Sequence, residues 1–348
     1  MDASYIDILL SDLDRALNHP IPQPLVPHTS YKMWAESYYS FRESPQARAS
    51  VKWHVEYLHG IQTHFDEDQW PRVQKRSAFD PTENTYDKGA LHSFSVPEIA
   101  ALRKSHPLIS PAVIVKAALA LLNTHHTGHD HAVFAGTQAG RTQWPFMPAS
   151  FGKHVGSGLF DEATDVAGPL MQSVTNLIKI LPDESVLDML HRLQTDQEAL
   201  TLHAHAPWPA VEESLDKAQQ NRSNTGLLGS HRGLTRKIFS TQVFNWIPGM
   251  GAQGGGLKEF LNFRKLAAVT RSQIGLVVRA GIGGLAGDTV ILNIRGDGLT
   301  DGQMEEVVEQ MEVLVRSLTR IDNWNAPISR CMLHEESRCC APGIAVSS

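Results

Sequence analysis

Four imidazoles stand within the seven residues His125-His126-Thr127-Gly128-His129-Asp130-His131. Imidazole titrates near neutrality and its neutral form ligates metals, so this stretch could hold a divalent ion or move a proton. A solvated turn rich in histidine would have the same composition. A second pair, His203 and His205, precedes Pro207. Alternation would aim both rings at one point, whereas a position between a helix and a proline is where histidines pack or cap. Cys331, Cys339 and Cys340 all fall in the last eighteen residues. An adjacent pair with one distant partner gives neither zinc spacing nor an even disulfide framework, so they read as part of a mobile tail. Gly249 to Gly256 holds five glycines in eight residues. It does not join a strand to a helix with phosphate-loop spacing, so nucleotide binding is not expected there.

The chain that carries these groups has 348 residues, 42% hydrophobic and 20% charged, enough for one large or two smaller domains. A formal net charge of -6 without a basic block argues against nucleic acid or an anionic membrane as partner. No apolar run approaches the length of a membrane span, and the first residues lack the basic-then-apolar signature of a secretion signal. A cytoplasmic protein is expected.

The elements that must position the histidines follow from periodicity. Tyr5, Ile6, Ile8, Leu9, Leu10, Leu13, Ala16 and Leu17 fall at helical spacing, with Ser4 as a cap. Three prolines from Ile21 to Pro27 then make a connector. Helices are expected over Tyr31 to Arg42 and Pro45 to Gly60, and a strand over Leu91 to Val96. Ser95 and Glu98 resemble a capping box. Pro111 to Leu122 is apolar on nearly every side, which predicts a helix buried against a sheet, with Ser110 and Pro111 at its start. Strands follow at Ala132 to Gly136 and, beyond the Gly168-Pro169 turn, at Met171 to Ile180, the latter read as a central core strand. A helix is expected from Ser185 to Leu200, with Asp188, Arg192 and Glu198 facing water. Gln219 to Arg236 reads as a loop and Ile238 to Ile247 as a strand. Gln273 to Ala280 and Asp288 to Arg295 flank a glycine-rich turn, a hairpin signal. Thr300 and Gln303 resemble a capping box ahead of one stripe from Met304 to Leu318, a core face. From Pro327 the chain reads as tail.

This order of segments includes the Ile114 to Leu122 helix, Ala139-Gly140-Arg141, Gly168-Pro169 with Asn176, His203-Ala204-His205-Ala206-Pro207-Trp208 and Phe244-Asn245-Trp246-Ile247-Pro248. It resembles the condensation domains of fungal nonribosomal peptide synthetases, and more broadly the acyltransferase superfamily typified by chloramphenicol acetyltransferase. The resemblance implies an α/β fold of mixed sheet flanked by helices, with the C-terminal lobe complete and the N-terminal lobe mostly absent. In that family the catalytic motif H-H-x-x-x-D-G precedes a helix. Asp2, ahead of the Tyr5 helix, would be the motif aspartate, a structural residue, and both histidines would lie upstream of residue 1. The letters H-H-x-x-x-D at His125 to Asp130 occur in the reverse context, after a helix and before a strand, so a solvated surface turn is expected there. Asn245 and Trp246 would line the floor of the tunnel between the lobes and contact substrate, as would His205. Phe263 to Ser272 holds no clear copy of the family's D-F-G-W motif.

The reading is thus residues 1–27 as remnant and connector, 28–320 as the C-terminal lobe and 321–348 as tail. The family reaction joins an amine or hydroxyl to an acyl thioester in secondary-metabolite biosynthesis. The thioester is borne on the phosphopantetheine of an acyl or peptidyl carrier protein, and no cofactor of the chain's own and no metal are expected. Two alternatives stand beside it. The chain could be a non-catalytic module that binds a carrier protein or pairs with another subunit or lobe, or an enzyme whose site is rebuilt from the His125 to His131 cluster or from His203 and His205.

Overall fold

The computed structural model describes residues 31–61, 64, 69–71, 89–138, 140, 166, 168, 170–220, 231–247, 274–284, 287–296 and 299–333. Helices α1 (Tyr31–Phe41) and α2 (Pro45–Tyr57) come first, then β1 (Gly89–Ser95), α3 (Glu98–Ser105) and α4 (Pro111–Thr127). Next are β2 (His131–Gln138), β3 (Gln172–Lys179), α5 (Val186–Leu202) and α6 (Trp208–Gln220). The chain continues through α7 (Leu234–Thr241), β4 (Gln242–Trp246), the hairpin β5 (Leu276–Gly283) and β6 (Thr289–Arg295), and α8 (Asp301–Thr319). The strands form one six-stranded mixed sheet in the order β1-β6-β5-β4-β2-β3. β2, β4 and β5 run parallel and the other pairs are antiparallel.

Alternation along the strands divides the core into two layers. Ala132 and Phe134 of β2, Phe244 of β4, and Val290, Leu292 and Ile294 of β6 face α3, α4, α5 and α8. Val133, Ala135 and Val243 face the opposite way, against Val211 and Leu215 of α6 and Leu234 and Ile238 of α7. α4 lies in the deeper layer, with 13 of its 17 residues buried. Its start follows from local chemistry: the Ser110 hydroxyl accepts from the Val113 N–H, and Pro111 occupies a first-turn position where its missing donor costs nothing. α8 begins with the full capping box of Thr300 and Gln303, and its stripe from Met304 to Leu318 is buried.

Four expectations are corrected. β3 is the terminal strand of the described sheet, not a central one, and α2 covers it: the Tyr57 hydroxyl accepts from the Leu177 N–H at 3.2 Å. Ser95 belongs to β1, paired with Thr289, so α3 starts after Pro97 without a side-chain cap. Leu234 to Thr241 is a helix because Leu234, Ile238 and Thr241 recur at helical spacing on its buried side, and the strand begins only at Gln242. The segment read as tail from Pro327 is packed as far as Leu333, with Ile328 and Cys331 buried and Pro327 bridged to Ser185; Cys339 and Cys340 lie outside the described residues. No helix among the described residues is long and apolar enough to cross a membrane.

Replacing Thr300 by alanine removes the hydroxyl half of the α8 capping box and leaves the backbone N–H of residue 300 donating to Gln303 Oε1. It should lower stability by about 1 kcal/mol, read as a shift of the urea midpoint at unchanged slope.

Candidate functional site

The histidine-rich stretch is not a solvated turn. α4 runs through Thr127 and stops where Gly128 takes the left-handed conformation at φ 75°, a glycine C-cap. His125 and His131 are buried. His126 stacks on Trp70 with ring centroids 4.2 Å apart and meets Gln310 Oε1 at 3.0 Å. His131 lies against the His64 ring and 2.9 Å from Asp130 Oδ1, and that hydrogen bond holds the Asp130 carboxyl below its usual range. His125 meets the His126 ring edge-on and His129 stacks on His131, yet among the described residues no three His, Cys, Asp or Glu side chains could hold a metal ion.

His203 and His205 also diverge. His203 caps α5, stacks on Trp53 and places Nδ1 3.0 Å from the Ser50 hydroxyl. His205 is buried elsewhere, against the Gln172 amide and the edge of Tyr38. Between α2 and this connector sits His54, which sequence reasoning passed over. Its Nε2 is 3.0 Å from the His203 carbonyl, an acceptor only, so the proton resides on Nε2. Its Nδ1 is buried with no hydrogen-bond partner among the described residues, and burial pushes its pKa down to about 4. Arg192, expected to face water, instead forms a bidentate pair with Glu184.

The polar groups that do converge lie across the sheet. Strand register aligns Ser173 of β3 with Thr137 of β2, Thr137 with Asn245 of β4, Asn245 with Arg279 of β5 and Arg279 with Asn293 of β6. Directly opposed residues share a face. Five hydrogen-bonding side chains therefore form one row, spanning roughly 19 Å at ordinary strand spacing. The row lies on the same face as Val133, Ala135 and Val243, one step beyond the apolar layer that α6 and α7 cover. Ser173 Oγ, Thr137 Oγ1 and Asn293 Oδ1 are buried yet have no hydrogen-bond partner among the described residues. Gln138 Nε2 and Gln172 Oε1, at the same end of the β2-β3 pair, are in the same condition. Buried polar groups are nearly always paired, so such a concentration marks where hydrogen bonds are made to something else. Thr137 and Asn245 stand at the carboxyl ends of the parallel strands β2 and β4, the edge at which open α/β sheets bind ligands.

Of the expected site residues, Asn245 is in this row. Trp246, the next residue, points to the other face and packs on the main core. His205 touches the site's margin through Gln172, and Asp2 lies outside the described residues. Single members left a signal in the sequence, since Thr137, Asn245, Arg279 and Asn293 each interrupt an apolar strand, but their alignment follows only from the strand pairing.

The sequence matches no family model and no curated protein. Solved structures do match. The first condensation domain of the calcium-dependent antibiotic synthetase, in complex with a substrate analogue, aligns at TM-score 0.56 and 13% identity over 94% of this chain and 66% of that one. A mutant starter condensation domain of rhizomide synthetase, in complex with C8-CoA, aligns at TM-score 0.58 and 13% identity over 94% and 66%. A further structure, described as CT, gives 0.54 and 16% over 93% and 62%. The chain thus has a condensation-domain-like fold, a mixed sheet flanked by helices, and spans about two thirds of the length of the chains it matches.

His54 makes a pH prediction. Its folded pKa of about 4 lies below the unfolded 6.5, so the unfolded chain binds the extra proton between those values. Its contribution is complete above pH 6.5 and is lost as pH falls toward 4, up to about 3 kcal/mol. Urea unfolding at pH 7 and pH 4.5 should show that loss, and His54→Gln should flatten it.

Proposed function

We propose that the chain is the C-terminal-lobe part of a condensation-domain-like acyltransferase, and that the row from Ser173 to Asn293 is the surface on which it orients substrate. The observation that carries this reading is the set of unpaired buried polar atoms along the row, with Thr137 at the carboxyl end of a parallel strand. The fold supports it, since the two synthetase domains named above were solved with a substrate analogue and with C8-CoA. In this reading residue 28 onward forms the lobe, which extends past residue 320 because Ile328 and Cys331 are in its core.

The reaction is attack of an amine or hydroxyl on an acyl thioester carried by the phosphopantetheine of an acyl or peptidyl carrier protein. A C–N or C–O bond forms, the C–S bond breaks, and the nucleophile's proton ends on the released thiol. The row is suited to holding such substrates, because hydroxyl and carboxamide groups both donate and accept and so match their amides and hydroxyls. Asp2 keeps the structural role implied by the resemblance. The row contains no histidine, cysteine or carboxylate, which favours a second reading in which this lobe binds and the proton-transferring group is supplied from outside the row.

Octanoyl-pantetheine, offered with a panel of amine and alcohol acceptors, tests both. Calorimetry should detect binding, and Thr137→Val or Asn245→Leu should weaken it about tenfold or more with the unfolding midpoint retained. Thiol release and an acylated product identify an acyltransferase. Binding without release identifies the binding lobe. Absence of binding, or variants indistinguishable from the native chain, contradicts the proposal.

A further inference from the structure

α2 and α6 flank an open groove of about 580 Å³. Its lining includes Arg48, Val51, Lys52 and Val55 of α2, which recur at the three- and four-residue spacing of one helix face. Pro207, just before α6, and Ala210 and Ser214 within it supply the facing wall. The floor is apolar because Val51 and Val55 sit over the layer formed with Val211 and Leu215. From Arg48 to Val55 the face is about 10 Å long, two helical turns.

The rim is mixed in charge, with Arg42, Arg48 and Lys52 beside Glu43 and Glu56, and its cations are held differently. Lys52 is 3.8 Å from Glu56, an ordinary exposed pair. Arg42 and Arg48 have no carboxylate partner among the described residues: the Arg42 guanidinium lies over the Tyr39 ring at 5.6 Å, and Arg48 Nη1 donates to the Glu43 carbonyl at 2.7 Å. Two guanidiniums held at the mouth of an apolar groove are donors suited to carboxylates. Their backbone is fixed as well, since the Ser44 hydroxyl caps α2 through the Ala47 N–H at 3.1 Å.

We infer that the α2–α6 groove is a docking site for an amphipathic helix of a protein partner, with an apolar stripe about two turns long flanked by acidic residues. Such a helix would place its stripe on Val51, Val55 and Ala210, and a carboxylate against each of Arg42 and Arg48. This surface is distinct from the polar row, and the inference does not depend on acyl transfer.

Three synthetic helical peptides with one shared apolar stripe, flanked by Glu, Gln or Lys, test it by fluorescence anisotropy on the full chain. The Glu peptide should bind at least tenfold tighter than the Gln peptide, the Lys peptide least, and the preference should shrink as salt is raised. Arg42→Glu/Arg48→Glu should reverse the order while leaving the octanoyl-pantetheine response unchanged. Arg42→Gln/Arg48→Gln, with the fold checked by circular dichroism, should abolish the discrimination. Equal binding of all three peptides, or retained Glu preference in the reversed variant, would overturn it.

Discussion

The register of β2 against its two neighbours is the constraint on which the rest depends. β2 is antiparallel to β3 and parallel to β4, and both pairings place Thr137 in line with its partners, Ser173 on one side and Asn245 on the other. A slip of one residue in either pairing would carry a polar member of the row to the α4 face and expose an apolar one. The apolar alternation of β2, with Phe134 on one side and Val133 and Ala135 on the other, prevents such a slip because both faces are buried. The row is thus held in place by packing beneath it, and three of its polar atoms, Ser173 Oγ, Thr137 Oγ1 and Asn293 Oδ1, have no hydrogen-bond partner among the described residues.

That arrangement has a cost elsewhere. Lys116, fully buried within α4, donates to Asn176 Oδ1 at 3.0 Å and to Gln197 Oε1, and burial lowers its pKa to about 7. A buried ammonium is tolerable only when its donors are matched, and here β3 and α5 each provide an acceptor. Asn176 in turn reaches the Phe134 carbonyl through Nδ2. Lys116 and Asn176 are therefore satisfied internally, while Ser173 Oγ, Thr137 Oγ1 and Asn293 Oδ1 of the row are not. This contrast distinguishes a structural polar network from a binding surface.

Much of the fold was legible because its strongest signals are local. The uniform apolarity of Pro111 to Leu122, the hairpin between Ala280 and Asp288, and the Thr300 capping box each act over a few residues and survive in the structure. The errors arose where a long-range partner decides. Ser95 satisfies the letters of a cap, but pairing with Thr289 claims its backbone. Ile238 looks like the start of a strand, yet its partners Leu234 and Thr241 lie on a helix face. His125 to His131 looked solvated because no local pattern foretells that Trp70, His64 and Gln310 arrive from distant segments to cover it. The site was half legible: Asn245 was singled out, but Thr137, Arg279 and Asn293 become its neighbours only once the strand order is known.

The central claim is that the row from Ser173 to Asn293 receives a ligand. Side-chain amide NMR of Asn245 and Asn293, recorded while octanoyl-pantetheine is added, tests it most directly. The account predicts that both carboxamides shift together and saturably, whereas Asn123, bonded to Gln242 and Leu119 within the core, stays fixed. Unmoved resonances at Asn245 and Asn293, with binding detected elsewhere on the chain, would contradict it.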